Sequence, residues 1–125
     1  MDTLPALSQT APPCPLTAAL EVIGGKWSLI LLYILGDGPR RFAELERLLP
    51  GISHKVLTET LRNLERHGMV RRTVFAEVPP RVEYALTAHG HTAAPVIEAA
   101  RRWGHCHLNA VRGDARVKPG HDEIP

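Results

Sequence analysis

The sequence predicts a mainly α-helical domain that carries a small β-hairpin. Three observations lead to this fold class. Short segments with the helical spacing of apolar residues are separated by glycine and proline. Two segments rich in β-branched and aromatic residues follow them, joined by a Pro-Pro pair. The chain has 125 residues, 44% of them hydrophobic, which suffices for one core but not for two.

The first two helices are predicted from their ends. Pro15 suits the first position of a helix, and residues 16–23 continue it. Gly24 and Gly25 then interrupt the helical pattern. A second, apolar helix is predicted over residues 26–35. Its expected core side chains are Trp27, Ile30, Leu31 and Ile34.

A third helix is predicted over residues 43–49. Arg41 and Phe42, which precede it, either form a short strand or lead directly into the helix. The side chains expected to face inward are Leu45, Leu48 and Leu49. Pro50 and Gly51 form the turn before the next helix.

A helix with two different faces is predicted over residues 54–67. Leu57, Leu61 and Leu64 recur at the i, i+4, i+7 spacing of a buried stripe. Ser53 is placed to accept a hydrogen bond from an unsatisfied N–H of the first turn. The opposite, mainly basic face carries Lys55, Thr58, Glu59, Arg62 and Arg66. Such a face is typical of a helix that enters a DNA major groove, although an ordinary surface helix has it too.

A β-hairpin is predicted after Gly68, a typical C-terminal glycine of a helix. Its strands are residues 70–76 and 81–86, which are rich in β-branched and aromatic side chains. Pro79 and Pro80 belong in the loop between them, because proline cannot donate a ladder hydrogen bond.

The last predicted element is one long helix that begins after Thr87, its expected cap. Its expected buried face consists of Ala93, Val96, Ile97, Ala100 and Trp103. The domain is predicted to span residues 14–112. Residues 1–13 are expected to form a flexible arm, and residues 113–125 a disordered tail.

Three helices followed by a hairpin are the plan of a winged helix-turn-helix. In that plan the helix over residues 54–67 enters the major groove, and the hairpin loop, or wing, lies along the backbone or minor groove. The order of the elements therefore favours DNA binding over an ordinary surface helix. A winged helix that docks another protein remains the alternative.

The overall charge permits this function without requiring it. The net charge is only +2 and the pI is near 8.8, but residues 40–72 contain eight Lys or Arg against four acidic residues. No signal peptide is evident, and no apolar stretch approaches the ~18 residues of a membrane span. We therefore expect a cytoplasmic protein that does not bind membranes, in which Cys14 and Cys106 are thiols rather than a disulfide.

Several motifs between Cys14 and Trp103 occur together and in a fixed order. They are Cys14-Pro15; Ile23-Gly24-Gly25-Lys26-Trp27; Arg41-Phe42 with Glu44-Leu45; Pro50-Gly51-Ile52-Ser53 followed by Lys55, Leu57-Thr58 and Leu61-Arg62; and Pro79-Pro80-Arg81-Val82-Glu83-Tyr84 with Leu86-Thr87. On these motifs the chain resembles the bacterial HxlR-type transcriptional regulators, which are similar to the MarR group. The resemblance implies a homodimer that binds specific DNA sequences, with dimerisation helices at both ends of the domain.

Seven side chains are candidates for contact with double-stranded DNA: Ser53, His54, Lys55, Thr58, Glu59, Arg62 and Arg81. Lys55 and Arg62 are long enough to reach a phosphate or a guanine edge, and the Thr58 methyl group can contact a thymine methyl. Glu59 either accepts from a cytosine amino group or orients Lys55 or Arg62. The simpler interpretation of each is a solvated surface side chain.

Arg81 follows the wing loop directly, which predicts a phosphate or minor-groove contact. Its alternative is an ion pair with Glu77 or Glu83 within the hairpin.

Cys14 is a candidate sensor of oxidants or electrophiles. It precedes Pro15 at the start of a helix, where the positive end of the helix dipole lowers the pKa of a thiol. The resemblance also implies this role, because some family members sense through an N-terminal cysteine, and the thiol could pair with a cysteine of the partner subunit. The alternatives are a small residue at a dimer contact and a regulator controlled by a small-molecule effector in the dimer cleft.

Neither metal binding nor catalysis is expected. His105 and His107 lie two residues apart, which on a helix places them about 200° from each other. His89 and His91 have the same spacing, and no Cys-x-x-Cys pattern occurs. The chain has no pattern of a catalytic triad, paired carboxylates or a phosphate loop, so no cofactor is predicted.

Overall fold

The computed structural model describes residues 14–113. The predicted arm over residues 1–13 lies outside this range, as does the predicted tail except for Gly113, which is the last residue of a helix. The chain divides into two compact units, Met1–His91 and Thr92–Pro125. The first unit contains α1 (Pro15–Ile23), α2 (Ser28–Leu35), β1 (Arg40–Arg41), α3 (Phe42–Leu48), α4 (His54–Arg66), β2 (Val70–Phe75), β3 (Arg81–Leu86) and α5 (Ala88–His91). The second contains α6 (Ala94–Gly113).

The predicted hairpin is confirmed, and it belongs to a three-stranded antiparallel sheet. The strand order is β1-β3-β2, so β3 lies in the centre. Arg40 of β1 and Arg72 of β2 both pair with Tyr84 of β3. Both alternatives for Arg41 and Phe42 are thus realised in part, because Arg41 ends the strand and Phe42 begins α3.

The core of the first unit consists mainly of leucines. The stripe predicted on α4 is confirmed, since Leu57, Leu61 and Leu64 are fully buried. The other leucines of the core are Leu31, Leu32, Leu35, Leu45 and Leu49. Burying this stripe fixes one side of α4 and leaves its polar side outward.

Two core positions predicted within the first unit are wrong. Ile30 is 40% exposed, while Leu31, Leu32 and Leu35 carry the core of α2. Almost every residue of α2 is apolar, so the spacing of apolar residues could not show which face is buried. Leu48 of α3 is also exposed rather than turned inward.

Both ends of α4 follow the local rules. Ser53 Oγ accepts a hydrogen bond from the Val56 N–H at 3.0 Å. At the other end Gly68 has φ +75°, a left-handed conformation that glycine adopts without strain. Asn63 Nδ2 also donates to the Glu21 carbonyl of α1 at 3.3 Å, which links α4 to the first helix.

The last helix is not continuous as predicted. Thr87 does cap a helix, because its Oγ1 accepts from the Gly90 N–H at 2.9 Å, but this helix, α5, ends at His91 and α6 begins at Ala94. Pro95 explains the break, since it has no N–H to continue the hydrogen-bond pattern and its ring opposes the preceding turn. On α6 the predicted buried positions Val96, Ala100 and Trp103 are exposed.

The helices within residues 14–113 are short or polar by the standard of membrane spans. No single one of them is long and apolar enough to cross a membrane. The pair α1 and α2 reaches the threshold only when the two are taken together, across a bend of 73°.

Candidate nucleic-acid interface

One face of α4 is packed against the core, and the opposite, polar face is exposed to solvent. Its leucine stripe is buried, whereas Ser53, His54, Lys55, Glu59 and Arg62 are exposed. Lys55 Nζ lies 3.9 Å from Glu59 Oε2, a contact between two exposed side chains one helical turn apart. An exposed pair of this kind contributes little to stability, so Lys55 can exchange it for another anion at small cost.

Arg62 differs from Arg66, the other arginine of α4, in having no side-chain partner within residues 14–113. Among the described residues, none forms an ion pair or a side-chain hydrogen bond with its guanidinium. By contrast, Arg66 at the end of α4 donates to Asn63 Oδ1 at 2.6 Å. Arg62 therefore presents a full set of donors on an exposed surface.

Thr58 is half-buried and uses its hydroxyl locally. The Oγ1–H donates to the His54 carbonyl at 2.9 Å. This contact satisfies the hydroxyl within the helix. The methyl group is then the part of Thr58 suited to an apolar contact with a base.

His54 connects the two helices of the helix-turn-helix. Its Nδ1 lies 3.3 Å from Glu46 Oε2 of α3, and its ring centroid lies 4.7 Å from that of Phe42. The imidazole thus touches a carboxylate and an aromatic ring of α3 at the point where α4 begins. The sequence did not indicate Glu46 or Phe42 as supporting residues, because their approach depends on the angle between α3 and α4.

Arg81 is held within the wing by both partners that the sequence had offered as alternatives. Its guanidinium donates to Glu77 Oε2 at 2.9 Å and to Glu83 Oε2, and it lies 3.9 Å from the centre of the Phe75 ring. The hydrogen bond to Glu77 is the main cause that raises the pKa of Arg81. Only 24% of its side chain is exposed. Arg81 therefore stiffens the base of the wing loop, and its charge is largely matched by the two carboxylates.

Cys14 occupies the N-cap position of α1 and is a partly exposed free thiol. The backbone N–H groups of Thr17 and then of Leu16, followed by the Thr17 side chain, lower the pKa of Cys14. The groups that lower the pKa all belong to the first turn of α1, at the positive end of the helix, although the sulfur makes no capping hydrogen bond of ordinary geometry. The effect has the direction that the sequence predicted, and it favours the reactive thiolate.

The candidate residues form separate groups rather than one site. Six of them lie on the first turns of α4 or at its cap, Arg81 lies on the hairpin, and Cys14 begins α1. Within residues 14–113 no group of three or more His, Cys, Asp or Glu side chains could hold a metal ion. Cys106 is a second partly exposed free thiol, on α6.

Known proteins similar to this chain are regulators of transcription. The family model described as HxlR-like helix-turn-helix matches residues 22–112. The chain is 43% identical over 111 residues to the HTH-type transcriptional regulator YdeP of Bacillus subtilis (strain 168), an alignment covering 89% of this chain and 87% of YdeP.

Two of the solved structures that share its fold are described as regulators. The redox regulator HypR in its oxidized form has a TM-score of 0.71 and 47% identity, and the match covers 74% of this chain and 95% of HypR. A transcriptional regulator of the MarR family from Porphyromonas gingivalis W83 has a TM-score of 0.71 and 35% identity, over 75% of this chain and 92% of that protein.

Proposed function

Because the chain belongs to the HxlR-like helix-turn-helix family of transcriptional regulators, we propose that it binds specific sequences of double-stranded DNA as a homodimer in the cytoplasm. The observation that carries this proposal is the two-faced helix α4. Its buried leucines hold it to the core, while Arg62, without an ion pair among the described residues, faces outward with Lys55. No catalytic role is proposed.

In this proposal α4 is the recognition helix and lies in the major groove. Arg62 donates to a guanine edge or a phosphate, and Lys55 leaves Glu59 to contact a phosphate or guanine. Thr58 offers its methyl group to a thymine. Ser53 and His54 lie at the helix start, where they are suited to contact the DNA backbone. Glu59 orients the neighbouring cations or accepts from a cytosine.

In the proposed homodimer each subunit contributes one recognition helix, α4. Apolar side chains remain exposed on both terminal helices of the described chain, and they are Leu16 and Leu20 on α1 and Val96, Trp103, Leu108 and Val111 on α6. Large exposed apolar surfaces of this kind favour association between proteins. Two half-sites in the operator would then lie about 34–36 Å apart, or a multiple of that distance.

We further propose that Cys14 controls DNA binding through oxidation or alkylation of its thiol. The lowered pKa increases the thiolate fraction at neutral pH, and the side chain is partly exposed. The similarity to HypR, which is described as a redox regulator, supports this role. A small-molecule effector in the dimer cleft would be the alternative if the thiol proves inert.

Selection of genomic fragments by the purified protein tests the DNA-binding proposal. We expect enrichment of one sequence with two related half-sites. The Arg62→Ala variant should bind the enriched duplex about 5- to 100-fold more weakly, as the removal of a guanine or phosphate contact implies.

Arg66→Ala is the matched control on the same helix. Arg66 is bonded to Asn63 in the last turn, away from the turns proposed to meet the bases, so its substitution should change affinity little. Enrichment of no sequence would contradict the proposal and favour a winged helix that docks another protein. Equal affinity and salt dependence of Arg62→Ala and wild type would show that Arg62 does not contact DNA.

A further inference from the structure

The three-stranded sheet carries a row of two arginines and a tyrosine across one face. Tyr84 pairs with Arg40 on one side and with Arg72 on the other. Residues directly opposite one another in antiparallel strands project to the same face, about 5 Å apart at each step. Arg40, Tyr84 and Arg72 therefore lie side by side on the backbone, with Tyr84 in the middle. We call these three residues the sheet row.

The two faces of the sheet differ in charge. By strand alternation, the face of the sheet row contains no acidic residue, and its other strand side chains are valine or leucine. The opposite face carries Glu83, which pairs in register with Arg41 and bonds to Arg81. No described residue forms an ion pair with either arginine of the sheet row. Positive charge on this face is therefore not neutralised by a neighbouring acid.

The sheet row is on the face of the sheet that carries the buried side chain of Val70. Val70 lies on the same face as Arg72, two residues earlier in β2, and is only 2% exposed. Helix α4 packs against β2. Beyond Val70 this face leaves the core, because Arg72 is exposed and Arg40 and Tyr84 are half-buried. The sheet row therefore lies where this face of the sheet emerges from the core.

We propose that the sheet row binds phosphate groups of the DNA backbone next to the groove that α4 enters. This inference rests on the proposed function and assigns it contacts outside the recognition helix. Guanidinium groups bind phosphate oxygens through two parallel hydrogen bonds, and a tyrosine hydroxyl donates a third. The arginines on either side of Tyr84 have like charge and no acidic partner among the described residues, so binding an anionic phosphate on this face is electrostatically favourable. The row fixes the position of the duplex and reads no sequence.

The test measures DNA affinity by fluorescence anisotropy between about 50 and 200 mM salt. The probes are the duplex enriched from genomic fragments and a mixed-sequence duplex of equal length. In Arg40→Gln and in Arg72→Gln, affinity should fall several-fold on both duplexes. The slope of log affinity against log salt should become shallower by about 0.9 for each phosphate that the variant no longer neutralises. Tyr84→Phe should lower affinity without changing the slope, because it removes a neutral donor.

Arg71→Gln is the matched control. Arg71 is the exposed neighbour of Arg72 on the same strand, but its side chain belongs to the opposite face. Its substitution should leave the slope unchanged. The proposal is overturned if the two glutamine variants keep the wild-type slope, or if Arg71→Gln lowers the slope as much as they do.

Thermal melting checks that each variant is folded. If a glutamine variant unfolds, Arg40→Lys and Arg72→Lys replace it. Lysine keeps the charge but lacks the bidentate geometry, so these variants should retain the slope and bind DNA more weakly. Unchanged affinity would refute phosphate binding by the sheet row. The proposed function is judged separately, by preference for the enriched duplex over the mixed one. The sheet row is judged on the mixed duplex alone.

Discussion

The thiol of Cys14 is partly exposed, and groups of the first turn of α1 lower its pKa. Alkylation by iodoacetamide follows the thiolate fraction, so its rate at Cys14 should reach half its maximum at a lower pH than for a small reference thiol. Thr17→Val removes one of the stabilising groups and leaves the backbone N–H groups. It should move this midpoint part of the way back towards higher pH, as measured by mass spectrometry of the modified peptide.

The regulatory consequence is tested on the same residue. Diamide oxidises pairs of thiols to disulfides, and this treatment should weaken binding to the enriched duplex in wild type and in Cys106→Ser if Cys14 pairs with its counterpart. Cys14→Ser should keep its affinity after treatment. An unmodified Cys14 together with unchanged DNA binding would exclude the sensor role.

The structural role of a single residue was predictable from sequence when the groups it contacts lie within a few residues of it. The cap at Ser53 and the glycine at Gly68 each depend on a few neighbouring residues, and both are confirmed. The contact of His54 with Glu46 was not predicted, because it joins two helices across a turn. Arg81 lies between these cases, since its two acidic partners are near in sequence but their geometry decides how the charge is shared.

At the scale of elements, Gly90 shows how closely α5 approaches the start of β2. A Cβ at this position would lie 2.1 Å from the Met69 carbonyl oxygen and 3.3 Å from Leu86 Cδ2. Gly90→Ala should therefore lower the free energy of unfolding by about 1–3 kcal/mol, because the backbone must move to relieve the overlap. The measurement is the midpoint of urea unfolding followed by circular dichroism.

His91→Ala is the control for this substitution. His91 is exposed at the end of the same short helix, so its substitution should leave stability within about 0.5 kcal/mol of wild type. An equal stability of Gly90→Ala and wild type would mean that α5 is displaced easily and does not pack tightly at this point.

Strands were easier to predict than the last helix. The hairpin bounds differ from the prediction by one residue, because β-branched residues and the proline pair mark both strands clearly. The break between α5 and α6 was missed although Pro95 marks it, since the apolar spacing continues across the break. The apolar face of α6 was correctly recognised as a stripe, but it was wrongly assigned to the core of one chain.

At the scale of the whole molecule, half of the large apolar residues that are exposed among the described residues lie on the two terminal helices. Trp103 is the largest of them, 67% exposed, with its ring stacked 5.0 Å from that of His107. Exposure of this amount of aromatic surface to water is unfavourable, and a partner that covers it would gain free energy roughly in proportion to the buried area. This surface, rather than the core, is where we expect the second subunit to bind.

Trp103→Lys should convert the proposed homodimer to a monomer. The substitution removes a large apolar contact and places a charge in the proposed interface, which is costly to bury without a partner. Because Trp103 is already exposed within one chain, the monomer should keep its helical content. Sedimentation velocity measures the oligomeric state. Binding to the enriched two-half-site duplex should weaken much more than binding to a single half-site, because only the dimer engages both half-sites at once.

Val78→Lys provides the matched control for this change. Val78 is also an exposed apolar residue, at 99%, but it lies in the wing loop rather than on a terminal helix. Its substitution adds the same charge and should leave the dimer intact. A Trp103→Lys protein that sediments as a dimer would move the proposed interface away from this face of α6. Equal dissociation of both variants would instead attribute the effect to added charge, since net repulsion alone also weakens association.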